Sequence, residues 1–186
     1  MQPIPAGSAP SDSGLAAQDL GPLAWVLDEL RKSLDSATKS LKRFVREADP
    51  ARSINVATID TAPLRMARQH IHQAVGALEM VGLVPPANVL RSMEAAVQRF
   101  VDHPELCTDA AAGKLERCGF ALAEYLESVL GGKAVSAVSL FPQYRDVQEL
   151  AGADRVHPAD LWPYDWRWVE PEVPSPREAL AYGPGF

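Results

Sequence analysis

The sequence predicts an all-α protein, an antiparallel up-down four-helix bundle with a short fifth helix and an irregular aromatic C-terminal extension. Three observations carry this. Four segments repeat their apolar residues in steps of three and four, the spacing of one helix face. The connections between most of them are short and hold Pro, Gly or Asp, which makes successive helices antiparallel neighbours. No run of useful length alternates apolar with polar residues as a half-buried strand does.

The first helix is predicted over residues 22–48. Pro22 suits the first turn, where its missing N–H is no loss. Leu23, Val26, Leu27, Leu30, Leu34, Ala37, Leu41, Phe44 and Val45 form its apolar stripe, while Lys32, Lys39, Lys42, Arg43 and Arg46 form a solvated face. Asp49-Pro50 is expected to end it. Residues 51–59 read equally as a loop or a short turn. The second helix starts near Asp60 or Thr61 with Pro63 in its first turn. It turns Leu64, Ala67, Ile71, Ala74, Val75, Leu78 and Val81 to one side and stops at Gly82. Pro85-Pro86 opens the third, with Leu90, Met93, Val97, Phe100 and Val101 inward. Thr108 or Asp109 caps the fourth, whose stripe is Leu115, Cys118, Leu122, Tyr125, Leu126 and Val129, and Gly131-Gly132 ends it. Residues 134–140 read as an irregular link. Phe141-Pro142 starts the short fifth helix, through Ala151, and His157 before Pro158 serves a turn or helix cap.

The domain reading is a disordered leader over residues 1–19, the bundle over 20–132, an extension packing on it over 133–168, and a linker over 169–186 toward a further region. The leader is rich in Pro, Gly, Ala and Ser, and has no basic segment followed by an apolar one, so it is not a secretory signal. From Phe141 onward lie three of the four tryptophans and no lysine. The run Leu161-Trp162-Pro163-Tyr164-Asp165-Trp166-Arg167-Trp168 is too aromatic for a spacer, and is expected to fold back over the bundle or to dock elsewhere.

Composition removes several functional classes. The chain has 186 residues, enough to bury a core without metal or disulfide support. A net charge of −6 and a pI near 5.2 argue against a nucleic-acid binder, which presents a basic face. No apolar run is long enough to insert in a membrane. Cys107 and Cys118 have no zinc spacing and read as buried thiols in a reducing cytoplasm. A metal site from His70, His72, His103 and Cys107 lacks an i, i+4 histidine pair, so neither metal nor cofactor is expected. Glu116, Glu124 and Glu127 sit at solvent spacing on the fourth helix. No phosphate loop or nucleophile elbow occurs, so the chain is not expected to be an enzyme by itself.

The chemistry concentrates on the second helix. Gly76 stands mid-helix, where glycine costs about 1 kcal/mol relative to alanine and implies a packing or access reason. His72 lies one turn before it on the same face, at the edge of the apolar stripe toward solvent. His70 falls on another face. A histidine beside a surface without side chains is open to close approach by a partner, with Gln69, Gln73, Gly76 and Glu79 as the candidate partner-binding residues. An imidazole with a free pKa near 6.5 is nucleophilic at neutral pH and can carry a phosphoryl group, which makes His72 the candidate phosphoacceptor. Glu94 on the third helix is placed to orient His72 if the two helices face each other there.

Here the sequence resembles a known family. Histidine phosphotransfer (HPt) domains carry His-x-x-Lys-Gly-x-x-x-x-x-Gly on the second helix of a four-helix bundle, and this chain reads His72-Gln73-Ala74-Val75-Gly76, then Gly82. Residues 64–82, with Ser139-Leu140-Phe141-Pro142-Gln143-Tyr144-Arg145 and His157-Pro158-Ala159-Asp160-Leu161-Trp162, are similar to the N-terminal region of CheA-type hybrid histidine kinases of the type IV pilus chemosensory system (the ChpA/PilL type), and to FimL, a stand-alone relative of that region. The resemblance spans residues 20–170. It implies a signalling module for type IV pili and twitching motility that relays phosphoryl groups through His72 within a parent histidine kinase. Its partners would be a response-regulator receiver domain, a kinase domain or a polar pilus scaffold, and it would be cytoplasmic and recruited to the cell pole. A non-phosphorylated HPt-like docking domain is the alternative. One departure separates the two: Val75 stands at the motif's lysine position, and an apolar residue there cannot stabilise a phosphoryl group.

Overall fold

The computed structural model describes residues 21–51, with side chains to Ala48, and residues 59–163. The leader, the 52–58 connection, the aromatic residues beyond Pro163 and the 169–186 linker lie outside the described residues. Five α-helices follow one another: α1 (Gly21–Ala51), α2 (Ala62–Met80), α3 (Val84–Asp102), α4 (Asp109–Leu130) and α5 (Phe141–Ala151). Every element among the described residues is helical, and none of these helices is long and apolar enough to cross a membrane.

The ends obey local chemistry. Asp60 accepts the Ala62 N–H through Oδ1 at 2.9 Å, with Pro63 in the first turn of α2. Thr108 Oγ1 accepts the Ala111 N–H at 3.1 Å, as an N-cap does. Gly82 ends the α2 turn at φ +78°, a conformation that side chains resist. α1 runs to Ala51 rather than stopping before Pro50, since a proline in the last turn forfeits one bond at an end that already frays. The expected stripes form the core: Phe44, Leu64, Ile71, Leu78, Leu90, Phe100, Leu122 and Leu126 are fully enclosed.

Side-chain pairs give the helix directions. Arg31 meets Glu127 and Lys42 meets Glu116 at 2.8 Å, so α1 and α4 run antiparallel. These are two of the carboxylates expected to face only solvent; each reaches a cation on the neighbouring helix. Arg91 meets Glu79 and Glu94 meets His72, so α2 and α3 are antiparallel as well. Between α3 and α5 the order is parallel: Tyr144 lies beside Ser92, and the Leu150 carbonyl takes a hydrogen bond from Arg99 Nη1 at 3.2 Å.

That last pairing places α5 inside the bundle. α3 and α4 barely touch; α5 packs on both and fills the space between them. The helical ring is α1, α2, α3, α5, α4, so the bundle extends past residue 132 and the fifth helix is part of its wall. Arg99 seats its guanidinium against the C-terminus of α5, where the helix dipole favours a cation. A Cβ on Gly152, at φ +82°, would lie 2.9 Å from Arg99 Nη1, so glycine there serves both the turn and the close approach.

The chain then turns back. The stretch expected to be irregular contains a 3-10 turn at Ala137–Leu140. A second one, Pro158–Leu161, is capped by His157, whose Nδ1 accepts the Ala159 N–H at 3.1 Å while Asp160 Oδ2 accepts the His157 N–H at 3.1 Å. Leu161 is completely buried. Because it completes the same core, Leu161→Ala should lower the stability of the whole bundle by about 2–4 kcal/mol. Urea denaturation followed by circular dichroism checks this: a single transition at lower urea is expected, whereas an unchanged midpoint would make the extension an appendage.

Candidate functional site

Helix α2 carries the site because its polar face is also its outer face. Ile71, Ala74, Val75 and Leu78 are buried, which leaves Gln69, His72, Gln73 and Glu79 exposed and Gly76 half-buried between them. The His72 side chain keeps 71% of its surface accessible. His70, two residues earlier, is half-buried on a different face.

The neighbouring helix supplies a carboxylate. Glu94 on α3 is partly covered, and its Oε1 lies 2.9 Å from His72 Nδ1. A carboxylate oxygen accepts, so Nδ1 is assigned the proton. In the neutral ring that leaves the lone pair on Nε2, which makes no hydrogen bond among the described residues. Imidazole, orienting carboxylate and open nitrogen form the arrangement by which proteins prepare a histidine to act as ligand or nucleophile.

Arg68 is a participant that the sequence reading missed. Its Nη2 stands 3.8 Å from Glu94 Oε1, so one carboxylate faces both the imidazole and a guanidinium. The signal was there: Arg68 precedes His72 by four residues, one turn away on the same face. The lysine position of the motif behaves differently. Val75 is buried in the core, so a lysine there would draw its charge against apolar packing instead of standing freely beside His72. Glu79, one of the expected partner-binding residues, is engaged by Arg91 across the α2–α3 seam.

No packing contact accounts for Gly76. A Cβ built on it meets nothing within 4 Å, so no neighbouring element requires the missing side chain. The patch next to His72 is left low and open. Neither thiol competes as a nucleophile: Cys107 and Cys118 are buried, and burial pushes the Cys118 thiol up to about 12, with Asp146 nearby adding to the effect. Among the described residues no group of three or more His, Cys, Asp or Glu side chains is placed to hold a metal ion.

Since nothing fills the space above Gly76, Gly76→Ala should stabilise the fold by about 0.5–1 kcal/mol through helix propensity alone. Thermal unfolding checks this. A destabilised variant would mean that the glycine serves packing after all. Compared with protein-family models, curated proteins and solved structures, the chain matches none, and its site is defined by its own geometry.

Proposed function

We propose that this chain is an HPt-type signalling module of a chemotaxis-like two-component system controlling type IV pili and twitching motility, and that it takes up and passes on phosphoryl groups through His72. The observation that carries the reading is the 2.9 Å pair between His72 Nδ1 and Glu94, on an exposed helix face beside an open glycine. The motif resemblance at His72, Gly76 and Gly82 supplies the class of reaction.

The chemistry needs little from the protein. The Nε2 lone pair attacks phosphorus on the donor, either a nucleoside triphosphate held by a kinase domain or the aspartyl phosphate of a receiver domain. The bond from phosphorus to the donor oxygen breaks, and that oxygen leaves with the electron pair. Nδ1 keeps its proton throughout, and Glu94 offsets the positive charge that the phosphorylated ring acquires. Transfer onward reverses these steps toward a partner's aspartate. Arg68 offers the cation for the phosphoryl oxygens that Val75 does not, from the preceding turn of α2. Donor and acceptor reach Nε2 because Gly76 leaves the approach low.

One observation favours a second reading, a docking module that is never phosphorylated. The lysine position is occupied by Val75 and points into the core, so Arg68 is left as the cation nearest the imidazole on α2. The open face around Gln69, Gln73 and Gly76 would serve partner binding equally well without phosphate.

Incubation with a CheA-type kinase domain and radiolabelled ATP separates the two. The phosphorelay reading expects acid-labile, alkali-stable label on the chain. Label should disappear in His72→Gln, and appear about ten- to a hundredfold more slowly in Glu94→Gln, where the orienting partner is weakened. Absence of label on the unaltered chain, or equal label on His72→Gln, overturns it. Retained binding to the kinase domain without label establishes docking.

A further inference from the structure

We propose that the outer face of α4 pairs with the same face of a second copy of this chain, across a two-fold axis beside Phe120, with Arg117 of each copy against Glu124 of the other. This goes beyond the role of His72 and does not depend on it, because α4 stands between α1 and α5 in the helical ring, away from the α2–α3 seam.

A hollow of about 270 Å³ lies between α1 and α4. That is just below the roughly 300–1,000 Å³ of sites for whole small ligands, a scale suited to one large side chain. Short side chains make it: Thr38, Gly119 and Ala123 keep its floor low, and a Cβ on Gly119 would already rest 3.6 Å from Leu34 Cδ1. The Arg31–Glu127 and Lys42–Glu116 pairs stand at its two ends and stay engaged there. Phe120 forms one wall and is 68% exposed. A single exposed aromatic is ordinary on a surface; a phenyl ring beside an apolar hollow of its own size is a knob next to a hole.

Charge names the occupant. Arg117 and Glu124 are exposed on the same side of α4, three residues before Phe120 and four after it. Neither makes an ion pair or a side-chain hydrogen bond among the described residues. Two helical turns, about 10 Å, separate them along the axis. The Arg117 guanidinium turns toward Gly113, where a Cβ would lie 3.3 Å from its Nη1, and so away from Glu124. Their midpoint falls between Phe120 and Ala121. A two-fold axis there, perpendicular to the helix, lays α4 antiparallel on its copy and brings each Arg117 opposite the other chain's Glu124. The two open charges are then answered twice over, as a self-complementary interface requires. A foreign partner needs the reversed charge pattern at the same spacing, whereas a second copy already carries it. The same axis keeps both α1 helices on one side of the contact, so each hollow faces the other copy's Phe120.

Sedimentation velocity of the full chain, from about 10 μM to about 1 mM, reads the pairing by mass action. The unaltered chain passes from one copy to two over this range. Phe120→Ala puts a strong helix former at an exposed position, so the fold is kept, and weakens pairing by about tenfold or more. Arg117→Glu and Glu124→Arg each set like charges against one another at both contacts, and each weakens pairing by about tenfold or more, although they move the net charge in opposite directions. The double variant R117E/E124R restores the dimer. Mixing the two single variants restores it too, since every charge again meets its opposite. A chain that stays single at the highest concentration overturns the proposal. So does a dimer indifferent to Phe120→Ala or to the single charge reversals, or a loss that the double variant does not rescue.

Discussion

Residues 81–83 join α2 to α3, and so short a connection fixes how the two helices face each other. Gly82 takes the chain round at φ +78°, and from that corner the register runs outward. Glu79 meets Arg91 first, then His72 meets Glu94, with Arg68 closing on the same carboxylate. One residue more or less in the turn would rotate Glu94 by about 100° around its helix and remove it from the imidazole. The candidate chemistry is therefore a consequence of turn geometry, transmitted through two rigid helices.

These ion pairs do not themselves hold the helices together. Exposed pairs contribute about 0–1 kcal/mol each, whereas every buried leucine of the core is worth several times that. Apolar packing of Leu64, Ile71 and Leu78 with their neighbours in the core sets the distance between elements, and the charges settle into the places left to them. The polar partners of His72 are thus free to serve reactivity, since removing them leaves the core whole. Gly76 relinquishes helix propensity at a position where no neighbour needs the space; under the proposed function an approaching partner would use it.

Much of this was legible in the sequence. The apolar stripes located all four long helices, and most of their residues are buried, because that spacing is a direct projection of helix geometry; Val45, Val81 and Val101 are only partly covered, and small residues such as Ala87, Ala96 and Ala112 join the core without having been named. Phe141-Pro142 and Ala151 bound the fifth helix as read. Its place was not legible. An eleven-residue helix whose buried side chains are Tyr144 and Val147 carries too little pattern to say which neighbours cover it. Its seat between α3 and α4 appears only in contacts between residues far apart in sequence, such as Arg99 with the Leu150 carbonyl. The same limit applied at the site. His72 and Gly76 could be placed on one face from spacing, but the meeting with Glu94 required the register of a second helix. Val75 is the instructive case: the motif names its position, and its burial shows what that position does in this chain.

The central claim is the protonation pattern of His72, and long-range ¹H–¹⁵N spectra of the imidazole read it directly. The tautomer of the neutral ring is the quantity compared. A dominant Nδ1–H tautomer in the unaltered chain, shifting toward Nε2–H in Glu94→Gln, is the predicted result. An Nε2–H tautomer in the unaltered chain, indifferent to residue 94, would contradict it and would leave His72 as an ordinary surface histidine.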